Sequence, residues 1–260
     1  MHDDRMNLYH LAPGDCVPAP LPIRSESDIT LDWSGDAIIV SILCPTYQHV
    51  DYVEDAIRGF LGQRTSFRFE VLIRDDASTD GTATIVQRYA GEYPRIIRAV
   101  LEHENHWPSR TPEGVLVPMA RGMFLAWCEG DDYWILDDKL ERQRNLLSGS
   151  LTLSAVAHGI ASRSKKGIRT TTSRRSRVTF EKDDMRAISQ MPTLTLMFRR
   201  IELTNASICE APFGDVVLKS QLCCHGKIIV EPRYLGAVYR IHDAGMFNSL
   251  DSSAARDRSL

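Results

Sequence analysis

The sequence predicts an α/β fold: a mostly parallel sheet with helices on both faces. Three observations carry that expectation. Short apolar runs rich in Ile, Val and Leu alternate with stretches whose apolar residues recur at helical spacing. The runs are nearly continuous rather than alternating, as strands buried on both faces are. Three of them end in polar residues of a particular kind: Pro45-Thr46-Tyr47, Asp75-Asp76 and Glu129-Gly130-Asp131-Asp132. In open α/β sheets the ligand crevice lies at the carboxyl ends of the strands.

The elements follow in order. Ala37 to Cys44 is an apolar run that Pro45 ends. Val50, Val53, Ile57, Phe60 and Leu61 then recur at helical spacing. Phe69 to Arg74 reads as a second strand, and Ser78 and Thr79 offer caps for a helix over Thr82 to Ala90. Ile96 to Leu101 is a third strand. Residues 111–121 are a poor helix, because Pro112, Gly114 and Pro118 fall there. Met123 to Cys128 is a fourth strand, and Leu136 to Leu147 a charged amphipathic helix. Beyond it, Leu153 to Ser162, Met191 to Phe198 and Leu235 to Ile241 read as strands, and Asp215 to Cys224 as a helix. Residues 1–36 carry Pro13, Pro18, Pro20 and Pro22 and no sustained period, so they read as an N-terminal extension, a tail or a strap without chemistry. Residues 37–260 would be the main domain, in two halves, 37–134 and 135–245, with 246–260 a tail.

Composition bounds the classes. With 260 residues, 43% hydrophobic and 25% charged, the chain is an ordinary globular one able to bury a core. A formal net charge of −3 is not the global balance of a nucleic-acid binder. No apolar stretch approaches the ~20 residues that cross a bilayer, and the Met-His-Asp-Asp start does not read as a signal peptide. The six cysteines show no C-x-x-C pair, which suggests neither zinc nor a disulfide framework and fits a reducing cytoplasm.

The strongest local signal is Cys128-Glu129-Gly130-Asp131-Asp132-Tyr133-Trp134 after an apolar strand. Adjacent carboxylates leaving a buried strand repel one another, and a divalent cation bridging a diphosphate resolves that conflict. A solvated turn with both acids facing water is the alternative. The second signal is Arg74-Asp75-Asp76-Ala77-Ser78-Thr79-Asp80-Gly81-Thr82. Its Ser-Thr-Asp-Gly part caps a helix, while an acid at the strand end can accept a hydrogen bond from the imide N–H of uracil.

Together these residues resemble the family 2 glycosyltransferases, nucleotide-sugar-dependent enzymes of the Rossmann-like GT-A fold, with mixed strands in the acceptor-side half. The matching stretches are Val40 to Tyr47, Asp75 to Thr82, Ala120-Arg121-Gly122 with Glu129 to Trp134, Phe213-Gly214-Asp215, and Val238 to His242, in the family's order over residues 37–245. The resemblance implies that Pro45, Thr46 and Tyr47 flank the nucleotide base, that Asp76 reads the uracil, and that Asp131 lies near the ribose and metal. It implies that Asp132 is the principal ligand of Mn²⁺ or Mg²⁺ and that His242 is a diphosphate or further metal contact. Asp215 matches the acceptor-side general base; apart from the resemblance it reads as a helix N-cap. Two departures are visible. The Pro that often follows the Tyr-Trp pair is absent, and residues 102–118 are unusual for a region that contacts the nucleotide, leaving Asn105 a weak match.

The function implied is inverting transfer of a hexosyl or N-acetylhexosaminyl group from a UDP-sugar to a hydroxyl of a saccharide or lipid-linked acceptor, in surface polysaccharide assembly at the cytoplasmic side. Asp215, ionised at neutral pH as an ordinary aspartate is, would take the hydroxyl proton. A nucleotidyltransferase that makes sugar nucleotides ranks lower, because no G-x-G phosphate loop follows the first strand. A non-catalytic nucleotide-sugar binding module is opposed by the presence of Asp76, Asp132 and Asp215 together. His103 and His106 lack the spacing of a zinc helix and read as loop residues. His158 reads as a core or surface histidine, and Tyr133 and Trp134 as either core or an acceptor platform. The basic stretch 163–177 is a solvated loop or, on a sharper reading, a contact with an anionic membrane surface.

Overall fold

The computed structural model describes residues 20–107, 109–164, 167–170, 175–200 and 214–242. The elements are α1 (Glu26–Thr30), β1 (Ser34–Thr46), α2 (Val53–Leu61), β2 (Phe67–Asp75), α3 (Thr82–Glu92), β3 (Ile97–Leu101), α4 (Pro112–Met119), β4 (Phe124–Trp127), β5 (Tyr133–Trp134) and α5 (Lys139–Ser148). There follow β6 (Leu153–Ser164), β7 (Gly167–Thr170), β8 (Val178–Phe180), two 3-10 turns (Met185–Gln190 and Thr193–Thr195), β9 (Met197–Arg199), α6 (Gly214–His225) and β10 (Lys227–Arg240).

The strands form one sheet in the order β3-β2-β1-β4-β9-β6-β10-β5, with β7 on β6 and β8 on β10. The β1, β2, β3 and β4 pairings are parallel, as is β6 with β10. The antiparallel β9 joins the two parallel blocks. The core has a layer on each face. Val40, Ile42 and Cys44 of β1 pack with α2 and α3 residues such as Phe60 and Val86. Leu43, between them, packs on the other face with Leu116 of α4 and Leu218 of α6. That alternation places α6 and α4 together, across the sheet from α2.

Some expectations are corrected in detail, and for Trp134 and His158 one of the expected alternatives holds. Residues 111–119 do form a helix: Thr111 Oγ1 accepts from Gly114 N (3.3 Å) and Pro112 sits in the first turn, where its missing N–H costs nothing. The apolar face Val115, Leu116 and Val117 is buried and outweighs Pro118 near the helix end. The strand expected over Met191 to Phe198 shrinks to Met197–Arg199, because Pro192 opens a 3-10 turn instead. The last strand is longer than expected, starting at Lys227. Trp134 is core: it stacks edge-on against Phe60 (4.9 Å) and its indole N–H donates to Leu194 O (2.8 Å). His158 is a core histidine whose ring pairs with Gly159 O (2.8 Å); burial first, and then Lys139, hold its pKa well below 6.5.

The described part of the N-terminal extension straps the domain. Leu21 packs on Gly62, Arg24 O accepts from the Tyr93 hydroxyl (3.0 Å), and Glu26 Oε1 accepts from Arg95 N (2.7 Å). Within 163–177, Arg177 is committed to an ion pair with buried Glu231 (2.8 Å), while Lys165, Lys166 and Arg174 lie outside the described residues, as does Phe213.

Candidate active site

Two consecutive carbonyls at the end of β1 hold both acidic turns. Pro45 O accepts from Gly130 N (2.9 Å), and Thr46 O accepts from Asp76 N (3.1 Å). The strand thus brings Asp76 and the Glu129-Asp132 turn to the same edge. Gly130 is required there, since a Cβ would stand 2.6 Å from Thr46 Oγ1. Thr46 is buried, whereas the Tyr47 ring is 45% exposed and open for stacking. The loops after β1 and β2 interlock: Gln48 N donates to Ser78 Oγ (2.8 Å), and Gln48 Oε1 accepts from the Thr79 and Asp80 amides. Gln48 (φ 56°) and Ala77 (φ 61°) both take left-handed conformations in these loops, a strain found where backbone is fixed around a site.

The adjacent aspartates of β2 divide their roles. Asp75 is spent locally, accepting from Ser78 N (2.9 Å) and Ser78 Oγ (2.6 Å). Asp76 Oδ1 accepts from the buried Arg74 guanidinium (2.7 Å) and from His106 N (3.1 Å). Arg74 also reaches Glu102 (3.1 Å), so the segment after β3 is tied to the Asp76 side of the crevice.

Across the crevice, His242 Nε2 lies 3.0 Å from Asp131 Oδ2, and His49 Nε2 lies 3.7 Å from the same oxygen. His49 is fixed by Thr46 Oγ1 at Nδ1 (3.1 Å). Asp132 turns inward, where Oδ1 accepts from Arg240 N (2.8 Å). Arg240 also donates to Asp131 O (2.9 Å), pairs with Asp55, and covers the Tyr133 ring at 4.3 Å. Glu129 is half-buried, with the Trp127 indole N–H on Oε1 (2.9 Å).

The three carboxyls do not titrate alike. Burial opposes the charge of Asp131, but the bond from His242 and the His49 charge outweigh it and hold its pKa low. Burial, and then the Asp131 charge, push Glu129 up to about 8 and Asp132 well above the usual carboxylate range. The turn therefore concentrates more carboxylate than it can ionise unaided. Hard carboxylate oxygens are donors that suit a divalent cation, which would relieve that repulsion. Among the described residues no three such side chains already stand arranged to hold a metal ion.

Asp215 lies in the first turn of α6, and its Oδ2 is 2.9 Å from Lys219 Nζ. Glu113 of α4 abuts Gly214, and burial followed by the Asp215 charge raises its pKa to about 7. Lys219 acts electrostatically on Glu113 and also on Glu129. That charge is the link between the α6 side and the acidic turn.

Of the residues singled out in the sequence, Pro45, Thr46, Asp76, Asp131, Asp132 and His242 meet around the end of β1. The imidazole of His242 touches Asp131 rather than Asp132. Sequence reasoning passed over His49, Arg240 and Lys219. His49 carried the one usable signal, three residues beyond Thr46 in the loop that leaves the central strand.

A mixed sheet with acidic turns at the ends of its central parallel strands defines the GT-A class of glycosyltransferase fold. The sequence profile of glycosyl transferase family 2 matches residues 41–201, and the chain belongs to that family. The structure superposes on Staphylococcus aureus TarS 1–349 in complex with UDP-GlcNAc with a TM-score of 0.66 and 19% identity, over 82% of this chain and 62% of that one. It also matches the mannosyltransferase PcManGT of Pyrobaculum calidifontis in complex with GDP-Man and Mn²⁺ (TM-score 0.59, 19% identity, 90% of this chain and 62% of that one). In sequence, TuaG of Bacillus subtilis, provisionally named a teichuronic acid biosynthesis glycosyltransferase, is 35% identical over 105 residues, which are 40% of each chain. An uncharacterized protein of Mycobacterium tuberculosis is 44% identical over 104 residues, 40% of this chain and 30% of the relative. The matched stretches thus span well under half of these curated relatives. No helix among the described residues is long and apolar enough to cross a membrane.

Proposed function

We propose that the protein is an inverting glycosyltransferase that moves a hexosyl or N-acetylhexosaminyl group from a UDP-sugar to a hydroxyl of a saccharide or lipid-linked acceptor in surface glycan assembly. The observation that carries the reading is the suspension of Asp76 and the Glu129-Asp132 turn from neighbouring carbonyls of β1. A base-reading acid and a diphosphate-side acidic cluster then flank one crevice. The names of TuaG and of TarS, a poly(ribitol-phosphate) N-acetylglucosaminyltransferase, support an acceptor in the cell-envelope glycans.

On this reading Tyr47 stacks on the base and Asp76 accepts its imide N–H. Asp131, Asp132 and His242 would hold Mn²⁺ or Mg²⁺, which when bound offsets the charge that gathers on the departing diphosphate. Asp215 accepts the proton of the acceptor hydroxyl as its oxygen forms a bond to the anomeric carbon. The bond from that carbon to the diphosphate oxygen breaks, and its electron pair leaves with the nucleoside diphosphate. A base opposite the leaving group gives a single in-line displacement and an inverted anomeric centre.

The test is a panel of UDP- and GDP-sugars scored for hydrolysis with and without Mn²⁺, water standing in for the acceptor. Metal-dependent release of UDP from one donor is expected. Absence of hydrolysis across the panel, or equal rates without metal, would overturn the reading.

A further inference from the structure

We propose that Lys219 and Glu113 are positioning residues for Asp215: Lys219 fixes one carboxylate oxygen, and Glu113 seats the first turn of the helix that carries it. The inference rests on the acceptor-side role of Asp215 given above and adds the apparatus that aims it.

Lys219 Nζ takes Asp215 Oδ2 at 2.9 Å, one helical turn away on α6. An ordinary exposed i,i+4 pair contributes little and leaves the lysine in water. Here the order is reversed, with the Lys219 side chain 10% exposed and that of Asp215 29%. The ammonium is sunk inward, where it faces Glu113 and Glu129 as well, and the carboxylate is held toward the open side. Asp215 Oδ1 has no partner among the described residues, and it is the oxygen left to receive a proton.

Glu113 acts from the neighbouring helix. A Cβ on Gly214 would stand 2.4 Å from Glu113 Oε2, so the carboxyl lies directly against the residue that starts α6. The same carboxyl is hydrogen-bonded to Thr111, so the contact packs the capped start of α4 against the start of α6. Glu113 is itself buried, on an α4 whose N-terminus Thr111 caps. With its pKa near 7, the group is uncharged in mildly acidic solution and then adds no second negative charge beside Asp215. Among the described residues, the charged groups facing Asp215 are Lys219 from its own helix and Glu113 from α4. The 3-10 turn Met185–Gln190 also packs on α6, but its neighbouring Asp183 and Asp184 act on Cys223, near the other end of the helix.

The experiment measures metal-dependent hydrolysis of the preferred UDP-sugar by the full chain, with UDP affinity from calorimetry in Mn²⁺. Lys219→Met should lower kcat by about 10- to 100-fold, the cost of a slightly misplaced group, with KM and UDP affinity within about twofold. Lys219→Arg should restore most of the rate. At pH 6, Glu113→Gln should keep the rate, and Glu113→Ala should lose about tenfold by the same misplacement. An inactive Asp215→Asn beside a Lys219→Met of unchanged kcat and KM would overturn the role of Lys219 and leave the base assignment standing. Equal rates in Glu113→Gln and Glu113→Ala would remove Glu113. Full activity in Asp215→Asn would remove the base and the inference with it.

Discussion

His242 and Asp131, separated by 111 positions in the chain, meet at 3.0 Å at the mouth of the crevice. The contact closes the site from its far side: β10 ends at Arg240, whose amide binds Asp132, and two residues later His242 reaches Asp131. On the proposed function, removing His242 should weaken UDP binding about 10- to 100-fold in the presence of Mn²⁺, as loss of a metal-site partner does. Binding without metal should change little. Calorimetry of wild type and His242→Ala, each with and without Mn²⁺, reads the difference. Equal losses in both conditions would place His242 on the nucleotide alone.

Gly130 offers a test of how the acidic turn is anchored. In Gly130→Ala the new methyl would meet Thr46 Oγ1 at 2.6 Å and Thr46 Cβ at 2.7 Å, both on a buried side chain of the central strand. Neither is the far end of a flexible side chain, so the turn must lift away from β1. We expect a loss of about 1–3 kcal/mol, typical of overpacking, with a weaker UDP affinity. Denaturant unfolding together with calorimetry checks both, and a variant with wild-type stability and affinity would show that Pro45 O does not need to hold the turn.

Arg74 tests the opposite wall. Its side chain is 2% exposed and is shared by Asp76 and Glu102. Arg74→Met takes the guanidinium from Asp76, while Glu102 keeps Arg110 at 3.9 Å. Breaking a buried pair from one side costs about 3–5 kcal/mol, and Asp76 should lose its orientation toward the base. Arg74→Lys keeps the charge but cannot span both partners, so it should fall between. Unfolding free energies in that order, with UDP affinity following them, are the expected result; an Arg74→Met protein that binds UDP as wild type does would separate Asp76 from base reading.

What the sequence disclosed and what it concealed divide along the range of the forces involved. The runs at β1, β2 and β4 were legible because strands covered on both faces must be apolar almost throughout, and their polar ends then mark the crevice. The start of β10 was concealed by Glu231-Pro232-Arg233, where the pairing with β6 slips between Glu231 and Leu235; an irregularity of this kind breaks the apolar pattern without ending the strand. The helix at Pro112–Met119 was concealed because Pro112 falls in the first turn, where a proline costs little, and because burial of Val115, Leu116 and Val117 outweighs Pro118. Within the site, Asp76, Asp131 and Asp132 stand out as acids at strand ends. His49, Arg240 and Lys219 do not, because each earns its place through a partner distant in sequence or through burial that only the packed sheet creates.

Glu113 gives a prediction on stability that needs no substrate. Its carboxyl, ordinarily near 4.5, is raised to about 7 in the folded chain, with burial first and Asp215 second as the causes. Between those two values the folded protein keeps a proton that the unfolded chain has released. Folding stability contributed by this group is therefore full below about pH 4.5 and is lost as pH rises toward and through 7. At 1.36 kcal/mol per unit the loss is on the order of 3 kcal/mol. Glu113→Gln carries no proton to lose, so relative to wild type it should gain stability by that order between pH 5 and pH 8. Other buried acids contribute their own pH dependence, but they are common to both proteins and cancel in the difference. Urea unfolding of both proteins at the two pH values measures it, and parallel pH dependences would mean that Glu113 is ionised in the native state and that the carboxyl against Gly214 is solvated rather than buried.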